Sequence, residues 1–158
     1  MNSKITGAGV SFAMLIMAPC PAFAEEVAAP ASAIPASDEK APLVPADFHV
    51  PTSVETASFK LVPLGPDLVK VDFDAYMSSI EHLQATFTRS KDWPHKDISA
   101  ADAMRDMETE QARFNSRKSF AYGVLTPDGS RERGSVYVSP SPVPGYDAVV
   151  RLWVTKAE

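Results

Sequence analysis

The chain is poor in the residues that carry much of protein chemistry. Its one cysteine, Cys20, falls within the first 24 residues, "MNSKITGAGVSFAMLIMAPCPAFA". That stretch has a basic residue near the start (Lys4), an apolar core over 10–17 and the small-residue pattern Ala22-Phe23-Ala24 before Glu25-Glu26. It has the form of a secretory signal peptide cut after Ala24, which makes the protein exported, periplasmic or secreted. The apolar core is well short of the roughly 20 residues needed to span a bilayer, so no membrane attachment is expected after cleavage. Met17 and Pro19 are poor residues in front of a lipidated cysteine. Without Cys20 the exported chain has no thiol, which excludes disulfides, thiolate metal sites and cysteine nucleophiles. Histidine is also scarce: His49, His82 and His95 are too widely spaced for a metal motif. Positive charge is in deficit. Loss of Lys4 leaves 14 basic against 20 acidic residues, a net charge of −6, which argues against binding nucleic acid. The last glycine is Gly145, so only glycine-free sequence follows it.

What is present divides into two parts after the leader. Residues 25–58 hold five prolines and eight alanines with no glycine and no helical or alternating pattern. Pro30, Pro35, Pro42, Pro45 and Pro51 each interrupt a regular ladder, so this part is expected to be an extended, mostly disordered linker. Residues 59–158 form the expected folded unit. "FKLVPLGP" alternates and then turns at Gly65-Pro66, predicting a first strand. From Asp67, Leu68, Val71, Ala75 and Tyr76 recur at helical spacing to about Ser78, and 79–87 adds a short helical turn before the loop "TRSKDWPHKD". A second long helix starts at Ser99 with a capping-box pattern to Asp102, and Ala100, Ala103, Met104, Met107, Gln111 and Phe114 fall on one stripe. "SFAYGVL", the turn "TPDGSRE" and "RGSVYVS" predict a hairpin. After the proline-rich "PSPVPG" comes a last strand, "YDAVVRLWVT". One of its faces carries Asp147, Val149, Arg151 and Trp153, the other Ala148, Val150, Leu152 and Val154. The order strand, helix, helix, three consecutive strands predicts α+β, with helices packed on a mainly antiparallel sheet.

Candidate site residues are few. His82 in "SIEHL" has a pKa suited to acid–base work, but its neighbour Glu81 points elsewhere on a helix and no nucleophile is placed with it, so it is read as a polar helix-end residue. Trp93 and His95 sit on a loop, where Trp93 either covers a ligand or plugs the core. Arg151 either binds a carboxylate or phosphate beside a cleft or is a solvated residue on an uncovered strand.

The words "FKLVPLGPDL" (59–68), "MSSIEHL" (77–83), "DWP" (92–94), "FAYGVLTPDGSRERGSVYV" (120–138) and "PGYDAVVRLWV" (144–154), in this order, resemble the N-terminal half of a GNAT acetyltransferase from a poorly characterised bacterial branch. The resemblance spans the whole expected folded unit and implies a truncated GNAT-like fold: strand, two helices and a three-stranded antiparallel meander. It also implies that Tyr137, Arg151 and Trp153 look toward a cleft, where Trp93 joins them as a ligand-binding candidate. GNAT enzymes hold the acetyl-CoA pyrophosphate on a Q/R-x-x-G-x-G/A loop after the fourth strand, because close approach needs glycine and the anion needs free helix N–H groups. Here only "TKAE" follows that strand, and an exported protein meets little acetyl-CoA. No cofactor is therefore expected, unless acetyl-CoA binds a site completed by another chain, and no catalytic residue is assigned. The expected role is a non-catalytic binding domain whose 147–156 edge recruits a partner or a second copy by strand addition. An acetyltransferase completed in trans and an inactive remnant are the alternatives.

Overall fold

The computed structural model describes residues 42–158; the expected signal segment and the linker up to residue 41 lie outside them. Among the described residues the elements are β1 (Val54–Glu55), β2 (Lys60–Pro63), a 3-10 turn (Pro66–Leu68), α1 (Val69–Met77), α2 (Ile80–Leu83), a π-helical turn (Gln84–Thr88), α3 (Ala100–Asn115), β3 (Phe120–Leu125), β4 (Glu132–Pro140) and β5 (Ala148–Val154). The strands form one antiparallel sheet in the order β1-β2-β3-β4-β5, each beside its neighbour in sequence. This is an α+β fold with the expected strand, helices and meander.

One strand was not expected. β1 lies in the proline-rich stretch and pairs Val54 with Leu61 and Glu55 with Lys60. The turn between β1 and β2 contains no glycine. Instead the Thr56 hydroxyl donates to the Phe59 carbonyl (2.9 Å) and accepts from the Phe59 and Ser58 amides (3.0 and 3.2 Å), a side-chain substitute for turn geometry. The residues before β1 are irregular, with a turn in which the Phe48 amide donates to the Pro45 carbonyl (3.1 Å), and they are anchored. Arg117 donates to the carbonyls of Ala46 (3.2 Å) and Phe48 (3.1 Å), the Leu43 amide donates to the Arg117 carbonyl (2.7 Å), and the Tyr122 hydroxyl donates to the Pro51 carbonyl (3.0 Å). Prolines withhold N–H groups from a ladder and leave carbonyls that side chains of the domain can reach. β1 and these contacts lie within the stretch expected to be linker.

α3 starts as its sequence predicts. The Asp102 amide donates to Ser99 Oγ (3.2 Å) and the Ser99 amide to Asp102 Oδ2 (3.0 Å), closing a capping box, and Ala103 and Met107 are buried. Two core clusters result. Ala75, Tyr76, Leu83 and Trp153 form one, with Phe73, Phe87 and Trp93 packed against it; Leu64, Met107 and Ala121 form the other. Tyr137 packs against both and joins them. β5 is drawn close to β4 at Gly134, where a Cβ would overlap the Trp153 carbonyl oxygen. Beyond β5 the Lys156 amide donates to the buried Ser79 hydroxyl (3.0 Å), tying the strand's end to the α1–α2 junction.

Candidate functional site

Strand alternation brings the sequence-predicted candidates together. Tyr137 lies opposite Arg151 and Ser135 opposite Trp153, so all four share the helix-covered face. A cleft of about 620 Å³ opens there, lined among others by Phe87, Trp93, Tyr137, Arg113 and Arg151. Trp153 lies beneath, buried, and its indole N–H donates to the Tyr137 hydroxyl (3.3 Å). Trp93 stacks obliquely on Tyr76 (5.3 Å) and Trp153 (6.2 Å) and meets Phe87 edge-on (6.0 Å), so it is a wall of both the core and the cleft. The Arg151 guanidinium sits over the Phe87 ring at 4.4 Å, a cation–π contact that holds the charge at the cleft mouth. His82 lines a separate surface pocket with Ser79 and Lys156, and His95 lies outside the cleft lining.

Phe87, Arg113 and Glu110 belong to the cleft but were not singled out from sequence. Arg113 pairs with Glu110 (2.9 Å), and burial pushes the Glu110 carboxyl up against the opposing pull of that arginine. Burial likewise raises Tyr137, which keeps its hydroxyl neutral. A smaller cavity of about 220 Å³ shares Trp93, Glu110, Arg113 and Tyr137 with the cleft and reaches Asp72 and Asp106 below. The cleft therefore offers aromatic walls and two cationic side chains to a small ligand. The Thr88, Ser119 and Ser139 hydroxyls and the Glu110 carboxyl complete its polar lining.

Deeper in the sheet lies a second arrangement that sequence reading missed. Asp72 of α1 and Glu132 of β4 are 5% and 1% exposed and near enough for each carboxyl to shift the other, and Glu132 Oε2 is buried without a protein donor. Ser135 Oγ donates to Glu132 Oε1 (2.7 Å). Desolvation raises both carboxyls strongly, and two carboxyls this close share a proton rather than both ionise. Gly123 makes room: a Cβ there would sit 3.3 Å from Glu132 Oε2. The sequence reading placed Glu132 in the turn "TPDGSRE", whereas the hairpin register makes it the first residue of β4, pointing inward.

The outer edge of β5 is a separate feature of the sheet. Hydrogen bonds from Thr155 N to Arg133 O (2.9 Å) and from Ser141 N to Asp147 O (3.1 Å) bracket the β4–β5 ladder. Bonded pairs alternate in an antiparallel ladder, so Val149, Arg151 and Trp153 turn their backbone groups toward β4. Ala148, Val150, Leu152 and Val154 turn theirs outward. Among the described residues nothing bonds to those outward groups. The same residues carry the exposed apolar side chains: Val150 is 60%, Leu152 59% and Val154 40% exposed.

No family model and no curated protein matches the chain. Solved structures do. A protein assigned to the GNAT-family acetyltransferases from Bordetella pertussis superposes with a TM-score of 0.51 at 16% identity, covering 68% of this chain and 62% of that one. A protein assigned as a ribosomal-protein-serine acetyltransferase from Vibrio cholerae gives 0.51 at 16% identity, covering 70% and 56%. The ribosomal-protein-S5-alanine acetyltransferase from Vibrio fischeri gives 0.53 at 12% identity, covering 68% and 57%. The chain has a GNAT-like fold, and it spans about six-tenths of the length of these structures.

Neither the N-terminus of α3 nor the segment ahead of α1 offers an open anion site. α3 satisfies its own N-terminus with Ser99 and places Asp102 there, which would repel an anion. The space beside Gly65, ahead of α1, is filled by Gln111, whose Nε2 would lie 3.0 Å from an added Cβ. Among the described residues, the glycines with positive φ, Gly129 and Gly145, lie in the turns before β4 and β5.

Proposed function

We propose that this chain is an exported GNAT-like binding domain that does not transfer an acyl group by itself and that engages a partner through the open edge of β5. The observation that carries this reading is the coincidence of outward backbone groups and exposed apolar side chains on Val150, Leu152 and Val154. An added strand would satisfy the first and cover the second in one step. The aromatic cleft beside Arg151 provides room for a small ligand on the other face of the same strand. The test is a photo-crosslinking amino acid at Val150 in the full chain, expressed in its own host, with Val54 on the opposite edge as control. Adducts to an identified protein, or to the chain itself, at Val150 alone are expected. None at Val150 would overturn the reading.

A second reading is an N-acetyltransferase whose acetyl-CoA site is completed by another chain. The GNAT-like fold and the cleft favour it. It requires acetyl-CoA binding by the chain or its complex, so calorimetry flat at millimolar acetyl-CoA removes it. Saturable heat with acetyl transfer would displace the binding-domain reading.

A further inference from the structure

We infer that the occupant of the β5 edge is a second copy of this chain, paired antiparallel about a two-fold axis at Leu152. The inference rests on the edge-binding reading above and goes beyond it by naming the partner and the register. In a two-fold antiparallel pair the residue on the axis faces itself. Because Leu152 turns its backbone groups outward, it can form a hydrogen-bonded pair with its own copy, and Val150 then bonds with Val154 of the second copy, and the reverse. The outward groups of Val150, Leu152 and Val154 are satisfied in that single register, and Ala148 lies beyond it. Their side chains meet on one face, so the three exposed apolar positions of each copy cover those of the other.

Charge agrees with this register. Asp147 precedes β5 and Lys156 follows it, both exposed, and antiparallel pairing about Leu152 brings each copy's Asp147 end to the other's Lys156 end. An axis at Val150 satisfies the same backbone rule but sets Leu152 against Ala148 and separates those charges. Features that usually guard an edge are missing between Ala148 and Val154. This span has no proline, no lysine and no register shift against β4, and its one cation, Arg151, is turned to the other face over Phe87.

The experiment uses the full chain with Cys20→Ser, so that introduced cysteines report alone. Paired Cα atoms in a bonded antiparallel pair lie about 5.5 Å apart, within disulfide reach. Under mild oxidation Leu152→Cys is expected to give a covalent dimer and Val150→Cys alone is not, whereas Val150→Cys with Val154→Cys together restores it. Sedimentation equilibrium of the cysteine-free chain should show a concentration-dependent dimer. Leu152→Lys, which places like charges on the axis at an already exposed position, should weaken it at least tenfold, and Val54→Lys should leave it unchanged. Cross-linking at Val150→Cys but not Leu152→Cys overturns the register. A monomer at every concentration overturns the second copy, and if Val150 still captures a different protein in the host, the broader edge reading survives; with neither dimer nor adduct, both fall.

Discussion

The two edges of this sheet are built on opposite plans. β1 is two residues long, follows Pro51, and ends in Glu55, whose carboxylate pairs with Lys60 of β2 at 2.8 Å. β5 is seven residues long, uncharged at each outward position, and apolar where it is exposed. Short length and edge charge are ordinary ways of preventing strand addition. One edge of the molecule uses both and the other uses neither. The contrast teaches that exposure of β5 is not a general looseness of the sheet, because the same chain protects its other edge with economy. It also shows what holds each strand. β1 depends on local turn bonds at Thr56, whereas β5 is fixed by Trp153, which is buried among Tyr76, Trp93 and Leu83.

The strongest way to break this contrast is to remove that anchor. Trp153→Ala deletes a buried indole together with its bond to Tyr137, and such truncations cost about 3–5 kcal/mol. A small domain has a total margin of only about 5–15 kcal/mol, so the denaturation midpoint should fall steeply. Hydrogen exchange should show β5 losing protection before β1. If β5 stays as protected as in the parent chain, the strand is held by its ladder to β4 and the role assigned to Trp153 is wrong.

A smaller effect probes β4, the strand that carries β5. Asp72 on α1 and Glu132 on β4 hold protons well above the ordinary carboxylate range because burial disfavours their charge. Asp106 and Glu110 on α3 raise Asp72 further, while hydrogen bonds from Ser135 act in the opposite direction. The unfolded chain releases these protons at about pH 4. Above that pH the folded form binds more protons than the unfolded one, so stability is full below about pH 4 as far as this pair is concerned and declines as pH rises through neutrality. Glu132→Gln keeps the shape and can donate to Asp72 without titrating. It should flatten the alkaline side of the stability profile and gain about 1 kcal/mol at pH 8. An unchanged slope between pH 5 and 8 in thermal melts would show that the pair does not govern it.

Much of this architecture was legible in sequence because its signals were local. The capping box at Ser99, the hairpin turn at "TPDGS" and the two faces of β5 each follow from residues within a few positions of one another, and the register keeps them. β1 was hidden because Val54 and Glu55 acquire their partner only through a turn made by the Thr56 side chain, in a stretch dominated by proline. Trp93 could be nominated by its loop position, Arg151 and Trp153 by their shared strand face together with the GNAT resemblance, and Tyr137 through that resemblance. Phe87, Glu110 and Arg113 could not, because they reach the cleft from a π-helical turn and from α3, whose placement over the sheet is a tertiary fact. The Asp72–Glu132 pair joins residues 60 positions apart in sequence and on different elements. No periodicity within either element announces it.

The smallest expected effect sharpens the comparison most directly, because it asks whether length or charge protects β1. The Lys60 hydrogen bond and charge hold the Glu55 carboxyl below its ordinary value, but the group is fully exposed and water screens the pair. Glu55→Gln should therefore leave the melting temperature within error of the parent chain at moderate salt. Glu55→Val goes further and makes the outward strand entirely apolar, leaving length as its sole protection. Two residues offer too few backbone groups to offset the entropy of ordering a second chain, so Glu55→Val should not create association through β1 in a background where Leu152→Lys has suppressed β5. New dimer in that double variant, measured by sedimentation, would mean that charge alone guards the β1 edge, and that the difference between the two edges lies in their side chains rather than in how much backbone each presents.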